Sequence, residues 1–148
     1  MKLTSSAFEH NGIIPFLYTC DGQDMNPPLL ILDVPEKAKS LVLIMDDPDA
    51  VKPAGKVWDH WIIWNIPPDT KEIKAGKQPR GIYGKGTSNS LLYKGPCPPD
   101  AQHRYYFKLY ALDRELDLPQ GSMKIDVEKA MDGQIIEQTE LIGLYTRK

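Results

Sequence analysis

The sequence predicts a mostly-β domain with a minor helical part. Short apolar runs rich in β-branched and aromatic residues are separated by many of the 13 prolines and 11 glycines, a pattern typical of buried strands joined by turns. Three such runs, at residues 29–32, 41–45 and 61–66, are predicted strands, and residues 141–145 are predicted to be the last strand. Residues 105–112 are apolar almost throughout, so we expect a central strand that is covered on both faces.

One segment near the end of the chain has helical character. Asp126 can cap a helix in which Val127, Ala130 and Met131 share one face. Ile125 can then pack back onto Ala130 as a hydrophobic staple. The helical part of the domain is therefore predicted to be short.

The composition fits one globular domain over residues 1–148. The hydrophobic fraction is 41% and the charged fraction is 26%, both ordinary for such a domain. The formal net charge of -2 offers no general attraction to nucleic acid or to an anionic membrane, so any anion site must be local. Residues 74–89, rich in Gly, Lys and Ser, are predicted to be a long exposed loop.

Targeting and cysteine signals favour a cytoplasmic protein. The segment after Met1 has no apolar signal core, and no aliphatic run approaches the length of a membrane span. Cys20 and Cys97 lie far apart and form neither a CxxC motif nor a zinc-ligand spacing. We therefore expect a cytoplasmic location, reduced thiols, and no metal or other cofactor.

The first candidate motif is the acidic stretch that follows the predicted strand at 41–45. Pro48 biases Asp47 toward extended backbone and so directs the Asp47 carboxylate. Asp-Pro-Asp is also ordinary turn chemistry, so a purely structural role is the alternative. A calcium loop is disfavoured because its Gly and its terminal Glu are missing.

Two histidines each open a predicted strand. Strict alternation places His60 on one sheet face with Ile62 and Trp64, and Asp59 on the other. A hydrogen-bonded core histidine is the alternative to a functional one, and the same holds for His103. Because each histidine lies near a rigid proline segment at a strand entrance, we expect the two side chains to converge.

The string Gly95-Pro96-Cys97-Pro98-Pro99 predicts a stiff surface loop, since prolines cannot join a ladder or a helix interior. Gly95 carries no Cβ and would let the backbone approach a ligand closely. The alternative is a rigid connector that binds nothing. No local group would stabilise a thiolate at Cys97, which favours a packed thiol over a nucleophile.

Four motifs, taken in order, resemble the phosphatidylethanolamine-binding protein family, and within it the prokaryotic Raf kinase inhibitor-like branch. They are DPD at 47–49, WDHW at 58–61, GPCPP at 95–99 and HRYYF at 103–107. The resemblance implies a two-sheet antiparallel β-sandwich with a Greek-key element and a few short helices. It also implies a shallow pocket for phosphate-like or carboxylate anions. The residues that match this pocket are Asp47, Pro48, Trp58, His60, Gly95, Pro96, His103 and Tyr105.

The chemistry of these residue types suits a small anionic ligand. Two imidazole N–H groups, backbone N–H groups of the loop at Gly95 and a tyrosine hydroxyl are donors that could converge on an anion. Asp47 could orient one imidazole by accepting its other proton, which also favours the protonated ring. The same carboxylate would repel a fully ionised phosphate, so we expect a monoanionic or zwitterionic group.

Two classes of function fit these residues. The first is a binding or regulatory module for a small anion, to which the resemblance adds a kinase or serine-protease partner that the module inhibits. The second is a hydrolase acting on a phosphoester or acyl substrate through Asp47, His60 and His103. The sequence contains no GxSxG, no HExxH and no credible nucleophile, which favours the non-enzymatic module. The resemblance also suggests a homodimer. Independently, a small domain would leave some aromatic residues exposed, which favours self-association, and the alternative is a monomer whose tyrosines line the sheet faces and the pocket mouth.

Overall fold

The computed structural model describes residues 1–147, and their secondary structure is mainly β, as predicted. These residues form nine strands, two helices and two 3-10 turns. The strands are β1 (Lys2–Thr4), β2 (Gly12–Ile13), β3 (Leu29–Leu32), β4 (Ser40–Asp47), β5 (Trp58–Ile66), β6 (Glu72–Ile73), β7 (Ile82–Tyr83), β8 (His103–Leu112) and β9 (Ile135–Tyr145). The helices are α1 (Val51–Ala54) and α2 (Lys124–Met131), and the 3-10 turns cover Phe16–Tyr18 and Pro48–Ala50.

The strands form two sheets. The larger sheet has six strands in the order β2-β9-β8-β4-β5-β7, and the smaller has three in the order β1-β3-β6. In the larger sheet β4, β5 and β7 lie side by side in the order in which they occur along the chain. The strand β8 returns by a long connection to lie beside β4, which is a Greek-key arrangement. The pairings are antiparallel except at one edge, where β2 runs parallel to β9.

The main core lies between the two sheets, and a second core lies beneath α2. Alternation along β4 directs Leu41, Leu43 and Met45 into the main core, while Val42 and Ile44 point into the second. Every residue of β4 is buried because both of its faces are covered. The predicted run at 41–45 is therefore a strand at the centre of the fold.

The other strand predictions are confirmed with wider bounds, and one prediction of burial was wrong. Residues 29–32 are β3, and the remaining predicted runs lie inside β5, β8 and β9. The strand β8 is central, but only one of its faces is fully covered. Tyr105 on that face is buried, whereas Arg104 is exposed and Tyr106 is half-buried. The short helix α2 covers only part of the face of β8 that carries Arg104 and Tyr106, so these side chains stay accessible.

The helix α2 forms where it was predicted, with a different cap. The Asp126 carboxylate accepts a hydrogen bond from the backbone N–H of Met123 at 2.9 Å, so Met123 is the cap residue and Asp126 lies in the first turn. Val127 and Met131 are buried as expected, whereas Ile125 is 58% exposed and forms no staple. Within residues 1–147, no helix is long and apolar enough to cross a membrane. The cytoplasmic location stays a prediction.

Part of the predicted exposed loop at 74–89 is packed instead. Ile82–Tyr83 form β7 and pair with β5. Gly84 is buried so closely against the Ser122 carbonyl and Ile62 that a Cβ there would have no room. The glycines serve close packing at this point, which is why a Gly-rich composition misled the prediction.

Candidate functional site

The strand pair β4–β5 carries a β-bulge at His60. Met45 lies opposite Trp61, but the next residue of β4, Asp46, lies opposite Asp59. His60 is therefore an extra residue without a partner of its own in β4. Bulges bend the strand and redirect a side chain, and they are frequent next to functional sites.

Because of the bulge, the predicted orientation of the His60 side chain was wrong. Strict alternation placed His60 with Ile62 and Trp64, but those two side chains pack beneath α2. The ring of His60 instead meets the ring of Tyr105 edge-on, 5.4 Å apart between centroids, on the face of the main core. Asp59 lies on the opposite face, where it pairs with a lysine of α2. The bulge thus brings His60 to the candidate site.

Asp47 at the end of β4 caps a turn and contacts His103. One carboxylate oxygen, Oδ1, accepts from the backbone N–H of Asp49 at 2.9 Å and so caps the 3-10 turn that begins at Pro48. The other, Oδ2, lies 2.6 Å from Nδ1 of His103. The turn therefore holds the carboxylate in the position from which it orients the histidine ring.

Both ring nitrogens of His103 are occupied by carboxylates. Nδ1 donates to Asp47, and Nε2 donates to Oδ1 of Asp100 at 2.7 Å. Burial alone would lower the pKa of His103, but the hydrogen bonds to the two carboxylates outweigh burial and raise that pKa above its usual value. The two carboxylates therefore favour the protonated ring of His103, which agrees with the expectation for Asp47.

His60 has the opposite electrostatic character. Its Nδ1 lies 2.6 Å from the carbonyl oxygen of Lys94, and a carbonyl can only accept, so Nδ1 carries the hydrogen. Burial lowers the pKa of His60 below its usual value despite that hydrogen bond and the nearby carboxylates. In the neutral ring Nε2 is then an acceptor. The neutral ring of His60 would therefore offer a ligand an acceptor, rather than the second imidazole donor that was expected.

Tyr105 lies between the two histidines. Its ring stacks on that of His103 at 6.3 Å between centroids and contacts His60 edge-on. The hydroxyl is buried near the Asp47 carboxylate and the backbone of Cys97, but it has no hydrogen-bond partner of ordinary geometry among residues 1–147. Burial, reinforced by the charge of Asp47, raises the pKa of Tyr105 far above its usual range, so the hydroxyl keeps its proton. It is an unused donor at the site.

The loop that begins at Gly95 is positioned by a neighbouring segment of the chain. The Gly95 N–H donates to Oδ1 of Asp24 at 2.7 Å, so it is already engaged. A Cβ at this position would collide with the carbonyl oxygen of Tyr18. Glycine is needed here because another backbone segment approaches, rather than a ligand. The N–H of Gly95 is used within the protein, in contrast to the expectation that it would face a ligand.

The predictions of reduced thiols and of a packed free thiol at Cys97 were wrong. Cys97 forms a disulfide with Cys20, 77 positions away. The backbone N–H of Cys20 also donates to the carbonyl of Pro96 at 3.1 Å, so the two segments are joined twice. Spacing along the sequence could not reveal this pairing, because the two cysteines meet only through the tertiary fold.

A cavity of about 350 Å³ lies beside these groups. Six of the residues expected at the pocket line it: Asp47, Trp58, His60, Gly95, His103 and Tyr105. Two others do not, since Pro48 starts the 3-10 turn and Pro96 is buried within its loop. The lining also includes Asp24, the Cys20–Cys97 disulfide and Lys94.

Two acidic residues at the site were missed from the sequence. Asp100 lies three residues before His103, a spacing that could have suggested a contact. Asp24 gives no such signal, because it reaches the loop at Gly95 from 71 positions away. In the described part of the chain, no group of three or more His, Cys, Asp or Glu side chains is placed to hold a metal ion.

The two-sheet fold, with a small cavity at the ends of β4, β5 and β8, defines a class of small β protein. Comparison with known proteins identifies its family. The chain belongs to the phosphatidylethanolamine-binding protein family, whose model matches residues 4–146. It is 50% identical over 153 aligned positions to a UPF0098 protein of Methanothermobacter thermautotrophicus, with 99% of each chain covered. The structural similarity supports the same family assignment.

Two solved structures are similar along nearly the whole chain. A phosphatidylethanolamine-binding protein homologue from Chlamydia trachomatis has a TM-score of 0.93 and 45% identity, covering 99% of this chain and 97% of the other. YbcL of Escherichia coli, described as a member of the mammalian family, has a TM-score of 0.90 and 27% identity, covering 99% and 98%. These likenesses extend the family resemblance to the three-dimensional fold.

Proposed function

We propose that this protein is a binding or regulatory module that takes a small monoanionic group, of the phosphate-monoester type, into the cavity beside His60, His103 and Tyr105. One observation carries the proposal: three different polar groups meet on one wall of the cavity. They are a charged imidazole, a neutral imidazole with a free acceptor nitrogen, and a buried hydroxyl without a partner.

The hydrogen-bonding pattern of this wall defines the ligand that would complete it. The Tyr105 hydroxyl can donate to a ligand oxygen, while Nε2 of His60 can accept a hydrogen. A protonated oxyanion, such as a phosphate monoester that keeps one hydrogen, supplies both. Asp24 and Asp47 line the same cavity and would repel a dianion. Lys94, at the exposed rim, adds a compensating positive charge.

Calorimetric titration near pH 6 with inorganic phosphate and with sulfate tests this proposal. Phosphate is mainly the monoanion there and carries hydrogens that sulfate lacks, so phosphate should bind more tightly. Tyr105→Phe should weaken phosphate binding because it removes the unused donor. Tyr106→Phe is the matched control, since its hydroxyl lies on the other face and contacts Arg104. Absence of anion binding at millimolar concentrations would overturn the proposal.

The geometry does not favour the alternative of a hydrolase. Both nitrogens of His103 are already hydrogen-bonded to carboxylates, and the sulfur of Cys97 is in a disulfide. Within residues 1–147, no serine, threonine or cysteine side chain is hydrogen-bonded to either ring, as an activated nucleophile would require. Turnover of phosphoester or acyl substrates that a His60→Ala, His103→Ala double variant abolishes would reverse this preference.

Two finer expectations from the family remain proposals. The first is inhibition of a kinase or a serine protease, which enzyme assays with the purified protein would test. The second is a homodimer, for which the exposed side chains of Ile13 and Phe16, 57% and 62% accessible, offer an apolar patch beside a surface groove. Light scattering at micromolar concentration would reveal a doubled mass if the dimer forms.

A further inference from the structure

The outer nitrogen of His103 is covered by an exposed side chain. Oδ1 of Asp100 lies 2.7 Å from Nε2, whereas Asp47 occupies the inner nitrogen. The two carboxylates differ in accessibility, since the Asp100 side chain is 40% exposed and that of Asp47 only 4%. Asp47 is therefore enclosed by the fold, whereas the Asp100 side chain borders solvent.

The contact lies at the boundary between two concave regions. His103 borders the cavity of about 350 Å³, while Asp100 borders an outer groove of about 870 Å³. Pro98 and Pro99 line both regions, so the proline loop is the partition between them. A carboxylate that leaves Nε2 has open space in the groove to move into.

We propose that Asp100 is an internal anion that competes with the ligand for His103 and so determines which anions the site accepts. This inference rests on the proposed function of the cavity. The Asp100 carboxylate satisfies the very N–H that a ligand oxygen would use, so an external anion must displace it. The intramolecular carboxylate has the advantage of high effective concentration.

Selectivity follows from the chemistry of that exchange. When acetate displaces the Asp100 carboxylate from Nε2 of His103, one carboxylate hydrogen bond replaces another. No additional contact then offsets the translational freedom that the acetate loses on binding. A phosphate group has additional oxygens and a hydrogen that reach Tyr105 and His60 as well. The wild-type site should therefore accept phosphate and reject acetate.

Titration calorimetry near pH 6, where His103 is charged, tests this inference with inorganic phosphate and acetate as probes. Asp100→Ala should bind phosphate roughly tenfold more tightly, since a competing charge-assisted hydrogen bond is removed, and should acquire measurable acetate binding. Asp100→Asn should be intermediate, because its amide oxygen still accepts from Nε2 without a charge. Asp117→Ala, which changes the net charge equally at another exposed position, should match the wild type.

The results that would overturn the inference are distinct from those that would overturn the proposed function. If the wild type and Asp117→Ala bind phosphate and Asp100→Ala binds it equally or more weakly, Asp100 is not a competitor, and the anion site still stands. If neither the wild type nor Asp100→Ala binds phosphate, both proposals are wrong. Circular dichroism of each variant confirms that the fold is retained before titration.

Discussion

Nδ1 of His103 lies 2.6 Å from Oδ2 of Asp47, although 56 positions separate the two residues in the sequence. Asp47 ends β4 and His103 begins β8, and the antiparallel pairing of these strands brings the two ends together. Both side chains are almost fully buried. This ion pair is the fixed part of the candidate site, and the other groups are arranged around it.

The ion pair should contribute to stability. Asp47→Asn keeps the shape of the side chain but leaves the His103 imidazolium without its inner counter-charge, so the free energy of unfolding should fall by about 3 kcal/mol. Urea unfolding followed by tryptophan fluorescence measures the change. Asp117→Asn should stay within about 0.5 kcal/mol of the wild type, because it is an exposed surface change. Indistinguishable midpoints for the two variants would contradict the assigned role of Asp47.

The contribution of His103 to stability should depend on pH. Because the pKa of His103 is raised in the folded protein, the folded state binds the proton more tightly than the unfolded chain does. The stabilisation is complete below the unfolded pKa, about 6.5, and is lost as the pH rises through the folded value. His103→Gln should therefore cost more free energy of unfolding at pH 5.5 than at pH 8.5. A larger loss of unfolding free energy at pH 8.5 would show that protonation of His103 does not stabilise the folded state.

Anion affinity should fall as the pH rises from 5.5 to 8. A hydrogen bond between the ligand and Nε2 of His60 needs a hydrogen, which comes either from the ligand or from protonation of the His60 ring. The pKa of that ring is lowered, and both the ligand and the ring lose the hydrogen as the pH rises. Loss of charge on His103 acts in the same direction. Phosphate titrations in a series of buffers measure the trend, and a flat profile would mean that pH-independent donors dominate.

The disulfide should stabilise the protein strongly, because it links residues 77 positions apart. Closing a loop of that length in the unfolded chain corresponds to about 4.5 kcal/mol in the chain-entropy model. A Cys20→Ser, Cys97→Ser double variant should lose most of that amount, and a reductant should destabilise the wild type but not the variant. Alkylation of two free thiols in unreduced, folded protein would contradict the pairing.

The strands could be predicted from the sequence because their apolar runs are long and sharply bounded. Residues 41–45 and 61–66 had to be buried in almost any fold, and both are central strands. The orientation of His60 could not be predicted in the same way. A bulge changes the facing of one residue and leaves no local mark on the sequence.

The residues of the site that lie in rigid motifs could be predicted from the sequence. The hydrogen-bond partners that other segments contribute could not. Asp47, His60 and His103 meet because three strand ends meet. The partners that determine their protonation come from elsewhere. Asp100 occupies Nε2 of His103, and the Lys94 carbonyl determines which nitrogen of His60 carries the hydrogen. Such contacts depend on loop conformations, and composition and periodicity do not encode them.

The central claim is that a small anion binds between His60, His103 and Tyr105. Long-range ¹H–¹⁵N correlation spectra of the histidine side chains, recorded near pH 6 while inorganic phosphate is added, test it most directly. The ring signals of His60 and His103 should shift together along one saturating curve, weakened in Tyr105→Phe, while those of His10, in an exposed turn, should stay in place. If the rings of His60 and His103 do not respond, or if all three histidines drift equally without saturation, the cavity is not an anion site.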